Sequence, residues 1–296
     1  FIKEQLFGLF QCISIMKKYK PDAVLAMGSF ASIPPALAAY FLHIPLFLHD
    51  GNARIGKSNR FFSRFATGIA LSFPAVNQQA LHCPSRITGL PLRKNLLQDV
   101  PNNKQEAVKL LNQKYGSSFS AEYPVILVFG GSLGAKAIND NFSVPTDLAK
   151  EKHIQVIHLS GPGKLDGSRE RYQESGVKAL TLEASPDMQI MYMSADLVIS
   201  RAGGSTISEL TIFGRYSVLI PYPYASELRQ NDNARFLQKT GAAKILSNQD
   251  CSEKVFHDII RDFILHKDEY CEKGFKVKQI AQPNAAEKVI VIFDDI

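Results

Sequence analysis

The chain has 296 residues, of which 45% are hydrophobic and 21% charged, a composition typical of a globular protein with room for two domains. Its net charge of +6 favours anionic partners such as phosphates or acidic lipids. No zinc-finger, RNA-binding or arginine-rich signature points to nucleic acid. No apolar run approaches the roughly 20 residues of a membrane-spanning helix, and the four cysteines have no metal-site spacing.

The first part of the chain alternates helical and strand patterns, the rhythm of parallel βαβ units. The predicted elements are helices over 1–18 and 36–42, strands over 23–27 and 45–49, a basic amphipathic helix over 54–69 and a weaker strand over 70–73. A polar stretch containing Pro101 follows, so we place a domain boundary near residue 95.

A second α/β pattern begins after this boundary. It predicts strands over 125–129, 154–159, 177–182, 197–200 and 218–220, and helices near 135–142, 168–176, 230–239, 253–265 and 283–292. We therefore expect two doubly wound parallel-sheet domains, 1–95 and 96–280, with a helix in 281–296 packing back on the first. Ligands would bind in a cleft between the domains, at the carboxyl ends of the strands.

The stretch 195–214 organises the second domain. An apolar strand ends at Ser200, a turn of small residues follows, and a helical pattern runs to a capping position at Gly214. Strand, glycine turn and helix start together direct backbone N–H groups at an anion, usually phosphate. Glu209, early in this helix, could accept two hydrogen bonds from a ribose diol. The alternative is a tight connection that holds no ligand.

A second glycine turn follows the strand at 125–129. Gly130, Gly131 and Gly134 allow close backbone approach to an anion, and Ser132 adds a hydroxyl donor. The turn lacks the signatures of a Walker loop or a Rossmann fingerprint, and by itself a plain turn is equally compatible. Two such turns in one domain favour a nucleoside diphosphate, with an attached sugar within reach of the pair Gln230 and Asn231.

In the first domain, His49, Asp50 and Asn52 close a predicted strand. A carboxylate there could deprotonate a sugar hydroxyl as it attacks. The competing interpretation is that Asp50 or Asn52 only caps the following helix.

Seven motifs occur in one order along the chain: Met27-Gly-Ser-Phe, His49-Asp-Gly-Asn, Gly89-Leu-Pro-Leu-Arg, Gly130-Gly-Ser-Leu-Gly-Ala, Ser200-Arg-Ala-Gly-Gly-Ser-Thr-Ile-Ser-Glu, Pro221-Tyr-Pro-Tyr and Arg229-Gln-Asn-Asp-Asn-Ala. Together they resemble the MurG family of bacterial glycosyltransferases, glycosyltransferase family 28, over essentially the whole chain. The resemblance implies the α/β GT-B fold of two Rossmann-like domains. It also implies a hexosyltransferase of peptidoglycan synthesis that moves GlcNAc, with inversion, from UDP-GlcNAc to the muramyl C4 hydroxyl of lipid I.

The same resemblance implies roles for single residues. Glu209 would hold the ribose, Gln230 the donor sugar, Asn52 the donor-sugar side of the cleft, and Arg93 the nucleotide. The donor's diphosphate region would lie at Ser132, Gly204, Ser205 and Thr206, with Ser185 and Met188 beside the uracil. The donor would also contact Gly131, Gly134, Arg201 and Gly203. This chain departs from the family in having Asp50 within its His-Asp-Gly-Asn motif, Leu133 in the first turn and Pro186 beside the uracil site.

The family's N-terminal Gly-Gly-His loop has no counterpart here, so we expect a truncated first domain and an inactive fragment. Asp50, His49 or the absent histidine would act in catalysis. No residue cluster requires a cofactor, although Mg²⁺ could accompany the diphosphate. The alternatives are another GT-B UDP-sugar enzyme, such as a UDP-GlcNAc epimerase, or a non-catalytic UDP-sugar-binding subunit.

A lipid-anchored substrate implies a peripheral protein on the cytoplasmic face of the bacterial inner membrane. Leu6, Leu9 and Tyr40, with basic side chains nearby, could bind an anionic phospholipid surface. Alternatively, the missing N-terminal unit covers these apolar side chains.

Overall fold

The computed structural model describes residues 2–224 and 228–295. Its contacts divide the chain into two compact units, the first formed by residues 1–91 with 282–296 and the second by residues 92–281. The helices of the described residues are α1 (Ile2–Tyr19), α2 (Ile33–Phe41), α3 (Lys57–Phe62), α4 (Lys94–Leu97), α5 (Lys104–Tyr115), α6 (Lys136–Asn141), α7 (Thr146–Lys152), α8 (Leu165–Ser175), α9 (Met188–Ser194), α10 (Gly204–Phe213), α11 (Arg229–Gln238), α12 (Glu253–Leu265), α13 (Lys267–Lys276) and α14 (Ala285–Val291).

The first unit is built on a parallel sheet in the order β1-β2-β3-β4. Its strands are β1 (Val24–Ala26), β2 (Leu46–Asp50), β3 (Gly68–Leu71) and β4 (Ser85–Ile87). Every residue of β2 and β3 is buried, as expected for parallel strands covered on both faces. On one face, Phe47 and Ala70 pack against Val289 and Ile292 of the C-terminal segment, which therefore belongs to this unit.

The second unit contains a larger parallel sheet in the order β7-β6-β5-β8-β9-β10. Its strands are β5 (Val125–Phe129), β6 (Gln155–Leu159), β7 (Lys178–Leu182), β8 (Leu197–Ser200), β9 (Ser217–Leu219) and β10 (Ala243–Ile245). The chain moves outward from β5 to β7 and then returns to β8 on the other side of β5. This is the strand order of Rossmann domains, and it creates a switch point between β5 and β8.

The core of the second unit shows why its sequence folds in this way. Helix α12 buries Phe256, Ile259, Ile260 and Phe263, spaced three and four residues apart on one face. Strands β5 and β8 are buried along their whole length in the centre of the sheet.

One predicted element is wrong in extent. The basic helix expected over 54–69 is limited to α3, and β3 begins at Gly68, two residues before the predicted strand. The backbone N–H of Thr67 already donates to Leu46 O (2.7 Å), so pairing with β2 overrides the local helical pattern. Helices α4, α5, α7, α9 and α13 and strands β4 and β10 were not predicted. Among the described residues, no helix has the length and apolarity needed to cross a membrane.

Candidate functional site

The two glycine turns leave the sheet from neighbouring positions in the second unit. Phe129, the last residue of β5, pairs with Ser200, the last residue of β8. Because the strands are parallel, both following turns lie at the same edge of the sheet, at the switch point. In open α/β sheets, ligands bind at this place.

In the first turn, most glycines are required by packing. A Cβ on Gly130 would lie 2.1 Å from the N atom of Ala135, and one on Gly134 would lie 2.1 Å from Ser160 O. Gly131 differs, since its φ of +82° favours glycine while the space around it is open. Next to it, Ser132 is exposed, so the tip of the turn is accessible to a ligand.

The first turn also has a cationic neighbour that the sequence did not reveal. Lys164, in the loop after β6, donates a hydrogen bond from Nζ to Leu133 O (2.6 Å). A Cβ on Gly161 of the same loop would lie 2.6 Å from Gly134 Cα, so the two loops are in close contact. The ammonium group adds positive potential beside the turn's backbone amides.

The second turn ends at the start of α10, which has an open N-terminus. Gly203 is the N-cap in an extended conformation, and no side chain among the described residues caps the helix. The first N–H groups of a helix have no intrahelical acceptor and, with the helix dipole, favour an anion. They belong to Gly204, Ser205 and Thr206. Of the atoms that the structure describes, a Cβ on Gly203 would meet only Thr206 Oγ1, at 3.7 Å. This turn is therefore accessible to phosphate.

Glu209 lies on α10, in the second turn of the helix. Its Oε2 accepts a hydrogen bond from the hydroxyl of Tyr192 (2.8 Å), a fully buried side chain of α9. Burial raises the pKa of the Glu209 carboxyl, and the Tyr192 hydrogen bond and the charge of Arg93 oppose that rise. The structure thus brings together Glu209 and Arg93, both predicted to contact the nucleotide.

Arg201 has a structural role in the loops around the site, and its predicted contact with the donor stays a prediction. Its guanidinium is buried and donates to the carbonyl oxygens of Ile220 (3.1 Å) and Pro221 (3.3 Å). It also lies 5.5 Å from the ring centre of Tyr222. Arg201 therefore holds the loop after β9 against the turn after β8.

The same loop is attached to the start of α11. Gln230 Oε1 accepts a hydrogen bond from the backbone N–H of Tyr222 (2.8 Å), while Asn231 is half-buried beside it. Asn233, buried on the same helix, donates from Nδ2 to Ala202 O (3.0 Å). The predicted sugar-side pair is therefore positioned by the elements that form the second turn.

The residues predicted to lie beside the uracil form a turn fixed to the end of α5. The Tyr115 hydroxyl lies 2.7 Å from Ser185 Oγ and donates to Asp187 Oδ2 (2.8 Å). Lys114 forms an ion pair with Asp187 Oδ1 (2.8 Å). Met188 begins α9, four residues before Tyr192, so one helix links this turn to Glu209.

In the first unit, Asp50 has the contacts of a turn-capping carboxylate. Its Oδ1 accepts from the N–H of Asn52 (3.1 Å), and its Oδ2 accepts from Gly56 N (2.9 Å) and Asn59 Nδ2 (3.0 Å). His49 is buried, with Nε2 3.2 Å from Gly89 O, and burial lowers its pKa. These bonds favour the capping interpretation of Asp50, and a catalytic role for either residue stays a prediction.

The apolar residues predicted to contact a membrane differ in exposure. Leu6 and Tyr40 are about half exposed, whereas Leu9 is partly buried. Tyr40 belongs to an aromatic cluster with Phe41, Phe61 and Phe65, in which the ring centres of Tyr40 and Phe65 are 4.8 Å apart. A surface pocket is lined by Phe61, Ala80 and four cationic or titratable side chains, those of Lys57, Arg60, Arg64 and His82. The basic residues thus lie beside the aromatic cluster.

Sequence reasoning missed three side chains that shape the site: Tyr192, Lys164 and Asn233. Tyr192 is hidden in the apolar run of α9, where its hydroxyl was the one available signal, because a buried tyrosine usually has a hydrogen-bond partner. Within the described ranges, no group of three or more His, Cys, Asp or Glu side chains could hold a metal ion.

Comparisons with known proteins identify the same family in both units. The family models for the N-terminal and C-terminal domains of glycosyltransferase family 28 match residues 1–71 and 125–289. The chain is 33% identical to an enzyme of Thermodesulfovibrio yellowstonii, over all of the chain and 79% of that protein. A relative from Ectopseudomonas mendocina is also 33% identical, over 98% of the chain and 78% of its own length. Both are named UDP-N-acetylglucosamine–N-acetylmuramyl-(pentapeptide) pyrophosphoryl-undecaprenol N-acetylglucosamine transferase.

Solved structures give the same result. The crystal structure of Acinetobacter baumannii MurG superposes with a TM-score of 0.78 at 28% identity, covering 97% of this chain and 77% of that one. A UDP-GlcNAc 2-epimerase from Neisseria meningitidis has a TM-score of 0.70 at 14% identity, covering 99% of this chain and 81% of the other, and this likeness shows the fold alone. The predicted fold of two parallel-sheet α/β domains, of the GT-B type, is confirmed. The chain therefore belongs to glycosyltransferase family 28, in the group that contains MurG.

Proposed function

We propose that this protein transfers GlcNAc from UDP-GlcNAc to the muramyl C4 hydroxyl of lipid I. Its 33% identical relatives are named as transferases of N-acetylglucosamine between UDP-N-acetylglucosamine and N-acetylmuramyl-(pentapeptide) pyrophosphoryl-undecaprenol. One structural observation carries the proposal. Two accessible turns leave adjacent strand ends at the switch point, and the open N-terminus of α10 lies one helical turn from Glu209. This arrangement suits a nucleoside diphosphate, whose phosphates and ribose need separate partners at that spacing.

The donor's diphosphate would bind the amides at the start of α10 and at the tip of the first turn, near Lys164. Its ribose hydroxyls would donate to the Glu209 carboxylate, and charge-assisted hydrogen bonds of this kind are among the stronger ones in proteins. Gln230 and Asn231, at the start of α11, would contact the donor sugar.

In the proposed reaction, the acceptor's C4 oxygen attacks C1 of the donor sugar as the bond from C1 to the UDP oxygen breaks, with inversion. The proton of the hydroxyl passes to a general base, and the departing electron pair adds negative charge to the UDP phosphate. Prearranged N–H groups and the dipole of α10 stabilise that charge. Because Asp50 already accepts three hydrogen bonds, its supported role is to shape the turn that carries Asn52.

Transfer is tested with the protein that contains this chain, radiolabelled UDP-GlcNAc and a lipid I analogue. Label should appear in the lipid product, also with EDTA present, since the proposed charge stabilisation comes from backbone amides. Release of UDP without labelled lipid would refute the transfer. Conversion of the donor to its 2-epimer would indicate an epimerase, and UDP binding without turnover would indicate a binding subunit.

The lipid-linked acceptor also requires contact with the cytoplasmic face of the inner membrane, and the first unit offers a suitable surface. Exposed rings of Tyr40, Phe41, Phe61 and Phe65 could enter the interface, while the adjacent basic side chains face anionic headgroups. Each basic residue near such a surface contributes about 1 kcal/mol, so binding would be reversible.

Vesicle sedimentation tests this contact. The pair Tyr40→Ser and Phe61→Ser should weaken binding to anionic vesicles severalfold and leave UDP affinity unchanged. Phe275→Ser, which changes an exposed phenylalanine of the second unit, is the matched control and should bind vesicles normally. If the Tyr40 and Phe61 changes unfold the protein, the cluster is part of its core.

A further inference from the structure

We infer that Tyr192 is a positioning residue for nucleotide binding, which orients the Glu209 carboxylate so that one oxygen is presented to the ribose. The inference rests on the proposed donor site. Tyr192 would not touch the ligand, because its side chain is fully buried. It would act on UDP affinity through Glu209 alone.

The hydrogen bond between the two side chains is specific. The Tyr192 hydroxyl donates to Oε2 of Glu209 at 2.8 Å, and no hydrogen bond to Oε1 occurs among the described residues. Burial raises the pKa of Tyr192 well above its ordinary value, so the hydroxyl remains protonated and remains a donor. The bond thus occupies one carboxylate oxygen and leaves the other to accept from a ligand.

Packing around the ring holds the hydroxyl in place. The Tyr192 ring stacks on Phe213 of α10, with ring centres 5.0 Å apart and planes within 9°. It meets Phe129, the last residue of β5, edge to face at 6.0 Å. One side chain therefore contacts the strand that leads into the first glycine turn and the helix that carries Glu209.

The cost of burying Glu209 explains why such a partner is needed. Burial disfavours its charged form, and a donated hydrogen bond favours it. Without the hydroxyl, the carboxylate would be less constrained in its side-chain conformation and less readily ionised. Both changes would weaken its bonds to ribose, while the diphosphate contacts at the turns would be unchanged.

The test compares UDP with 2′,3′-dideoxy-UDP, which lacks both ribose hydroxyls, by titration calorimetry on the full chain. Tyr192→Phe removes only the hydroxyl and keeps the ring. It should bind UDP about tenfold more weakly than wild type, the loss expected for one impaired charge-assisted hydrogen bond. It should bind the dideoxy ligand as wild type does. Tyr172→Phe is the matched control, because it removes another buried tyrosine hydroxyl of this unit, bonded to His158 (2.8 Å), and should change neither affinity.

Each other outcome has a distinct meaning. If Tyr192→Phe weakens both ligands equally, the hydroxyl supports only the fold, and the inference is overturned. If Tyr192→Phe weakens the binding of neither ligand, Glu209 does not need the tyrosine hydroxyl to bind ribose. The inference is then also overturned, although the proposed donor site stands. Wild-type protein that binds UDP and the dideoxy ligand equally would place the ribose elsewhere. Wild-type protein that does not bind UDP at all would refute the proposed function itself.

Discussion

The turn after β2 and the turn after β8 look alike in sequence but differ in how their carboxylates are used. Each follows a buried parallel strand, contains glycine and has an acidic residue nearby. Asp50 is the last residue of β2, and Glu209 lies in α10, the helix that follows the second turn. Asp50 accepts three hydrogen bonds from its own turn and from Asn59. Within the part of the chain that the structure describes, Glu209 accepts one, from Tyr192. The first carboxylate is occupied by the fold, and the second remains available to a ligand.

This difference shows what distinguishes a structural carboxylate from a binding one. A carboxylate is best able to bind a ligand when the fold leaves one of its oxygens without a donor. Around Asp50, the nearby N–H groups of Asn52 and Gly56 supply those donors locally. Around Glu209, the backbone is already helical and bonded to itself, so its one partner comes from a different helix.

The largest effect is expected from Asp50→Ala, which tests whether Asp50 is a structural carboxylate. Three donors would lose their acceptor in a buried place, so the free energy of unfolding of the first unit should fall by about 2–4 kcal/mol. Chemical denaturation measures this, with exposed Asp22→Ala as the control that should change it by less than about 0.5 kcal/mol. A stable Asp50→Ala protein that binds UDP normally but no longer transfers sugar would instead make Asp50 the catalytic base.

Glu209→Ala tests the other half and should act on binding. Loss of a carboxylate bonded to ribose should weaken UDP by about 1.5–3 kcal/mol, or roughly 10- to 150-fold. Titration calorimetry measures the change, and Glu174→Ala, at an exposed position of α8, should bind UDP as wild type does. Equal UDP affinity for wild type and Glu209→Ala would mean that both carboxylates of the comparison are structural.

A smaller effect concerns pH. Because burial raises the pKa of Glu209, its carboxylate should take up a proton at a pH above the 4.5 of an ordinary glutamate. Tyr192 and Arg93 face this carboxyl and limit the rise. The advantage of wild type over Glu209→Gln in UDP affinity should therefore be full at neutral pH and shrink before pH 4.5 is reached. The quantity to follow is the UDP affinity of wild type divided by that of Glu209→Gln, because the titration of UDP itself cancels in this ratio. A ratio that stays constant down to pH 4.5 would contradict the prediction.

Much of the fold could be predicted where local signals agree. Strand β8 has its predicted bounds because it is a short apolar run, and α10 ends at Gly214, whose φ of +63° suits a glycine cap. The start of helix α5 also has a local signal that we did not use, because Asn103 caps the helix by accepting from Glu106 N, three residues later. We included its first residues in the polar stretch around Pro101 and predicted no helix after them.

The rest depends on contacts between distant segments. The bond from Thr67 to Leu46 converts a helical pattern into the start of a strand, and no property of 54–69 indicates that pairing. Likewise, the sequence identified Asp50 and Glu209 as similar candidates. It could not show that Asn59 reaches one or that Tyr192, hidden in an apolar helix, reaches the other. The donors that reach a carboxylate from another helix are a property of tertiary structure.

Gly203→Ala should have the smallest effect, and it tests whether the turn after β8 is open to phosphate. The φ of −65° and ψ of 151° at Gly203 suit alanine. Among the described residues, the new methyl group would meet only Thr206 Oγ1, at 3.7 Å. Alanine is a poorer N-cap than glycine, so the free energy of unfolding should fall by about 0.5 kcal/mol. UDP affinity should fall about threefold, a loss of roughly 0.7 kcal/mol, because the methyl group keeps a phosphate from the backbone.

Gly167→Ala, in the first turn of α8 with open space around it, is the matched control for that change. It should stabilise the protein by about 0.5–1 kcal/mol through helix propensity and leave UDP affinity unchanged. Calorimetry and denaturation on both variants separate binding from stability. If Gly203→Ala binds UDP as tightly as Gly167→Ala does, no phosphate approaches the start of α10, and the turn after β8 holds no ligand.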